Sequence, residues 1–183
     1  MISTKQCIHT SALELFIKYG YDNVTVEDIC NKCNITKSTF YYHMTSKQDI
    51  IVYHYDQLVT NLEPLLISLL SVNDSWTQLV MLFEFLIENI TKYGVDFNKQ
   101  AAIISIKDSL RTFELRQEIK DLGTNIIKNG QHKNEFNNNK EAHELFEAAA
   151  FLFFGYEMIW TLGDGSYDWK TEFTHSLSLL INK

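Results

Sequence analysis

One proline and seven glycines in 183 residues leave little material for the many tight turns that a β-rich fold requires. Three cysteines are an odd number, which excludes a fully paired disulfide framework and fits a reducing compartment. A bilayer-spanning helix needs roughly 20 apolar residues. The most apolar run, Ala148 to Leu162, has 15 and contains Glu157. Met1 to Thr10 lacks the apolar stretch of a secretory signal, so the expected setting is cytoplasmic, with no membrane partner. Catalytic sets are missing as well. The six histidines are scattered, and neither HExxH, a glycine-rich phosphate loop nor a nucleophile–base pair stands out. No enzyme activity, metal or cofactor is expected.

What is present is a composition for burial. Hydrophobic residues make up 45% and charged residues 21%, enough for a sizeable core. The formal net charge is −7, distributed unevenly. Residues 1 to 50 balance five lysines (5, 18, 32, 37, 47) against five carboxylates (14, 22, 27, 28, 49), and no arginine falls among them. The remaining 133 residues carry the whole −7. An acidic body repels polyanions, whereas a neutral head tolerates them.

Helical periodicity appears from the start. Ile8, Ala12, Leu15 and Phe16 share one face of a helix expected over 4–19, which Gly20 ends. Thr25 caps a second helix, with Asp28 placed for a capping box and Val24 and Ile29 for a hydrophobic staple. Asn34 suits the left-handed turn that follows. Thr36 then caps a third helix with Phe40 facing inward, which turns Ser38 and Tyr42 outward and leaves Thr39 and Tyr41 beside them. Two capped helices across so short a turn make a helix-turn-helix. Ser46 starts a fourth helix, expected to reach about Leu70 with a kink at Pro64.

Further helices are expected over 76–93 and near 98–110 and 112–128, with an exposed asparagine-rich loop at 129–140. From 141 to 162 the chain is apolar around the full helical circumference, and an amphipathic helix follows from Tyr167 to Ile181. A small body has little to cover both sides of such a helix, so a second copy is the expected cover. The interface would use Phe153, Tyr156, Trp160, Phe173, Leu177 and Leu180. The fold class is all-α, with about nine helices: a DNA-binding head over 1–46 and a helical ligand-binding and dimerisation body over 47–183. An effector site in that body would draw on Phe83, Ile87, Ile103, Phe113, Phe154 and Met158.

The head also resembles a known family. Ile8…Ala12…Leu15-Phe16…Gly20-Tyr21…Thr25-Val26…Ile29, then Asn34 through Met44, Lys47 and Asp49-Ile50, is similar to the first 50 or so residues of TetR-type transcriptional repressors. Cys30, Cys33, Asn34 and Met44 depart from the usual alanines, glycine and phenylalanine. The resemblance implies that Thr25 holds a backbone phosphate and that Thr36, Lys37, Ser38, Thr39 and Tyr42 lie in the major groove. It further implies phosphate contacts from Tyr41, His43 and Lys47. The implied protein is a homodimer on a palindromic double-stranded operator, released by a small, largely apolar or aromatic effector that shifts the fourth helix. The alternative is an interaction protein or small-molecule carrier whose head no longer reads DNA.

Two smaller features stay open on sequence. Cys30-x-x-Cys33 reads as two small buried residues or as a redox pair, and Cys7 alone does not complete a zinc set. His54 reads as a core residue, or as a pocket or hinge residue of the fourth helix.

Overall fold

A computed structural model describes residues 3–57, 62–107 and 115–183. Ten helices and no strand occur among the described residues. They are α1 (Thr4–Tyr19), α2 (Val26–Cys33), α3 (Lys37–His43), α4 (Gln48–Gln57), α5 (Glu63–Leu70), α6 (Ser75–Thr91), α7 (Gly94–Lys107), α8 (Gln117–His132), α9 (Ala142–Leu162) and α10 (Trp169–Ile181).

The caps form as their residues dictate. Thr25 and Asp28 make a reciprocal capping box on α2, and Asn34 ends that helix in the left-handed region at φ 53°. The Thr36 hydroxyl accepts the Thr39 amide at 3.1 Å at the start of α3. The Ser46 hydroxyl accepts the Asp49 amide at 3.2 Å, and the Asp49 carboxylate accepts the Thr45 amide at 2.7 Å in return. Gly20 closes α1 at φ 80°, with its amide bonded to the Phe16 carbonyl.

Two expectations change. Pro64 opens α5 instead of kinking a longer helix: it sits in the first turn behind Leu62, where a missing N–H costs no hydrogen bond. The asparagine-rich stretch is shorter and more ordered than a free loop, because α8 continues to His132. Beyond it, the Asn137 and Asn138 side chains donate to the Asn182 and Leu180 carbonyls at 3.0 and 2.8 Å, closing the end of α10. Phe136 is buried beside Gly130, where an added Cβ would meet its ring at 2.3 Å.

The helices form two compact units. One gathers α1–α4 and α7, and the other α5, α6 and α8–α10, with Ile90 and Thr91 of α6 falling in the first. The core of the first unit runs from Ile8, Ala12 and Phe16 through Ile29, Phe40, Met44, Ile50 and Ile51 to Phe97, Ala101 and Ile104 of α7. Asn98 is buried there and donates to the Ile90 and Gly94 carbonyls at 2.9 and 2.7 Å. In the second unit Phe83 packs on Phe146, Phe153 and Phe173, with ring centroids 4.8–5.7 Å apart. Phe153 also meets Trp169 at 5.4 Å. α9 is long and apolar enough by composition to cross a membrane, yet it carries the buried Glu157 and packs between α8 and α10.

A buried histidine marks the first unit. His9 of α1 stacks on His54 of α4 at 5.6 Å and meets Tyr53 edge-on at 5.0 Å. Neither ring nitrogen of His9 has a hydrogen-bond partner among the described residues. Burial lowers its pKa to about 4 from an ordinary 6.5. The unfolded chain therefore takes up a proton at a higher pH than the folded one, and stability falls as pH drops from 6.5 toward 4. Urea unfolding of the wild type should lose about 2–3 kcal/mol from this group across that window, and His9→Leu should flatten that part of the profile.

Candidate nucleic-acid interface

α3 has seven residues, too short to hold itself in water. Its anchor is Phe40, fully buried, and its start is fixed by Thr36. Helical geometry then determines the outward surface. Thr36, Lys37 and Ser38 are exposed, Thr39 is half-buried, and Tyr42 is the most open aromatic of the head at 84% exposure, with Tyr41 at 53%. His43 is half-buried, with its ring edge-on to Tyr42 at 5.0 Å. An exposed tyrosine beside exposed hydroxyls forms a surface rich in donors and acceptors, with an apolar ring to lay against a partner.

The charges of the head are largely committed to one another. Lys37 Nζ lies 2.8 Å from Glu27 of α2, with both side chains well exposed; that pairing raises the lysine pKa. Such a bridge is worth little in water, so Lys37 can exchange partners. Thr25 donates its hydroxyl to Asp28 at 2.6 Å. That bond and the Thr25 amide hold the Asp28 carboxyl below its ordinary range. Thr36 and Thr39 share a hydroxyl contact at 3.0 Å.

Lys47 does more than the sequence suggested. Its ammonium donates to the Tyr21 and Val24 carbonyls at 2.8 and 2.9 Å and sits 4.0 Å above the Tyr21 ring. Burial pulls its pKa down, and Asp22 partly opposes that shift. Lys47 therefore ties the α1–α2 connection to the start of α4 and keeps part of its hydrogen-bonding capacity for anything outside. The sequence signal was a lysine beside a cap; its internal acceptors, 23 and 26 residues away, leave no local pattern.

The residues expected to bind an effector are placed unevenly. Phe83 and Ile87 are buried, while Phe154 and Met158 are half-buried, all in the second unit. Ile103 belongs to the first unit and is 38% exposed. Phe113 lies outside the described residues. Sequence reading gave Glu157 no part beyond interrupting an apolar run; it is buried in α9, and burial pushes its carboxyl up to about 8.

The expected dimer set is divided by burial. Phe153, Trp160, Phe173 and Leu177 are buried within the protomer, which leaves them little surface for a second copy. Tyr156 and Leu180 are half-buried. The apolar side chains that do face outward are Phe151 at 70%, Ile159 at 59%, Leu162 at 74% and Leu179 at 68%. Phe151, Gly155, Ile159, Tyr156 and Leu180 line an open groove of about 590 Å³ with Ala148 and Leu152. Both helix faces of α9 are apolar, so the sequence alone did not separate inner from outer phase.

The two capped helices α2 and α3, joined across the left-handed turn at Asn34, define a helix-turn-helix. Comparison with known proteins shows what the head is similar to. Residues 8–53 match the model for bacterial regulatory proteins of the tetR family. IcaR of Staphylococcus aureus strain Newman, a negative regulator of the biofilm operon icaADBC, is 36% identical over 88 residues, covering 47% of this chain and 45% of IcaR. The Tn10 TetC protein of Escherichia coli is 29% identical over 97 residues, covering 53% of this chain and 47% of TetC. These matches span about half the length of each relative or less. Across nearly the whole chain the fold is shared with Thermus thermophilus FadR, a TetR-family repressor solved with lauroyl-CoA. That likeness has a TM-score of 0.71 at 21% identity, covering 96% of this chain and 92% of FadR. The head of this chain is thus similar to that of tetR-family proteins over residues 8–53.

Removing the Lys47 ammonium should cost the head itself. Lys47→Ala is expected to destabilise the fold by about 1–3 kcal/mol, the value of hydrogen bonds to a charged donor, read as a lower urea midpoint in DNA-free protein.

Proposed function

We propose that this protein is a ligand-responsive, DNA-binding transcriptional regulator: a repressor that grips a palindromic operator as a homodimer and releases it when a small molecule binds. The observation that carries this reading is the outward surface of α3, with Ser38 and Tyr42 exposed on a helix locked by Thr36 and Phe40. Residues 1–46 are assigned to DNA binding and 47–183 to effector binding and dimerisation. Thr36, Lys37, Ser38, Thr39 and Tyr42 face the major groove, where base edges differ in donors and acceptors. Thr25, Tyr41 and His43 touch phosphate and fix the register, with Lys47 contributing its remaining capacity.

The homodimer is supported by the outward face of α9. Gly155 is exposed in mid-helix, and a Cβ there would meet nothing within 4 Å in the protomer. A mid-helix glycine costs about 1 kcal/mol relative to alanine, a cost that a closely approaching partner helix would offset. Phe151 and Ile159 flank it. The effector is assigned to the second unit, at Ile87, Phe154 and Met158, and is largely apolar. The lauroyl-CoA bound by FadR supports an acyl or similarly apolar molecule. Binding lowers DNA affinity by favouring a spacing of the two heads that no longer fits successive major grooves.

Gel-shift assays against DNA adjoining the coding region test the reading. Tyr42→Ala should weaken sequence-preferring binding by about 1–2 kcal/mol with the circular dichroism spectrum and melting unchanged. Absence of sequence preference in the wild type at low salt would favour a head that binds protein or no partner. The double change Phe151→Glu with Ile159→Glu should yield a folded monomer by light scattering; a persistent dimer would move the interface elsewhere.

A further inference from the structure

All three cysteines of the chain are free and lie in the first unit. The sequence pairs Cys30 with Cys33 by spacing, but the fold brings a different partner to Cys33. Its sulfur donates to the Cys7 backbone carbonyl at 3.4 Å, across 26 residues, which places the two cysteines side by side. Cys7 and Cys33 are each half-buried, so water and small oxidants reach them, whereas Cys30 is buried at 3% exposure.

We infer that Cys7 and Cys33 form a reversible thiol–disulfide pair, a site at which peroxides modify the head. The chemistry is balanced by the peroxide. The sulfur reached first attacks a peroxide oxygen as a thiolate, an S–O bond forms, and the O–O bond breaks with loss of hydroxide or alkoxide. The second sulfur, giving up its proton, then displaces hydroxide from the sulfenic acid, closing the S–S bond and leaving water. Two thiols are oxidised by two electrons, and one peroxide is reduced to water or to water and an alcohol. Burial pushes the Cys33 thiol up, as it does Cys30, so at neutral pH the Cys33 sulfur is held as the thiol, the less nucleophilic form.

Position gives the modification its consequence. Cys33 is the last residue of α2, and only Asn34 and Ile35 separate it from Thr36, the cap of α3. A disulfide imposes its own geometry, with Cα atoms roughly 4.4–6.8 Å apart, so the bond acts on the turn that aims α3. That consequence for DNA rests on the regulator reading above; the thiol chemistry does not.

The test treats the reduced full-length protein with hydrogen peroxide, followed by denaturing alkylation, intact mass and non-reducing peptide mapping. Two of the three thiols should disappear, the mass should fall by two hydrogens, a Cys7–Cys33 linked peptide should appear, and dithiothreitol should reverse all three changes. Cys30→Ser should behave as wild type, and Cys7→Ser should lose the linked peptide. A Cys30–Cys33 link, intermolecular cross-links as the main product, or three surviving thiols would overturn the pairing. In parallel gel shifts the oxidised protein should bind at least about tenfold more weakly. Equal affinity overturns the regulatory role, whereas a reduced protein that binds no DNA overturns the regulator reading and leaves the peptide result standing.

Discussion

A seven-residue helix gains too little from its own hydrogen bonds to persist in water, so α3 exists because Phe40 is buried. That burial sets everything the head presents. With Phe40 pinned among Ile8, Ala12, Ile29 and Met44 in one core, a rotation of 100° per residue decides that Ser38 and Tyr42 emerge on the far side. The caps at Thr36 and Thr25 fix where the rotation starts. Lys47, drawn inward to the Tyr21 and Val24 carbonyls, holds the connection against which α2 and α3 are placed. The surface has its pattern because the other face is packed.

The head was legible in the sequence for the same physical reason. Its signals are local: a threonine before a helix, an acid three residues on, an asparagine at a left-handed turn. Each interaction closes within a few residues, and the structure shows Thr25, Asn34, Thr36 and Ser46 in the roles their spacing implied. The body was legible only as helices. On α9, Phe151 and Phe153 look alike in sequence, yet one is 70% exposed and the other 1%. What separates them is contact with Trp169 and Phe173 on another helix, which no local pattern records. Pro64 misled for a related reason, since proline suits a first helical turn as well as it breaks a middle one.

The residues expected to line an effector site show the limit of reading aromatics as a cavity. Phe83 sits among three other phenylalanine rings and serves the core. Half-buried Phe154 and Met158 have surface still to give. The core of the first unit also continues past the helix-turn-helix into Phe97, Ala101 and Ile104 of α7, so the head does not stop where its motif stops. Any shift of α4 or α7 is felt at Phe16 and Tyr21, which share rings with Phe97.

The pairing of Lys37 with Glu27 bears on selectivity. In the proposed complex, Lys37 leaves Glu27 to reach a base edge, and Glu27 then stands bare near the phosphates. On an operator, a well-placed acceptor on the base replaces the lost partner. On unrelated DNA no such acceptor waits, the carboxylate stays repelled, and the lysine remains where it was. A chromosome offers on the order of a million or more competing sites. Under the proposed function, a head with no arginine and a lysine already engaged would spend little time on them, and a weak attraction for DNA in general would become a means of finding one sequence in particular.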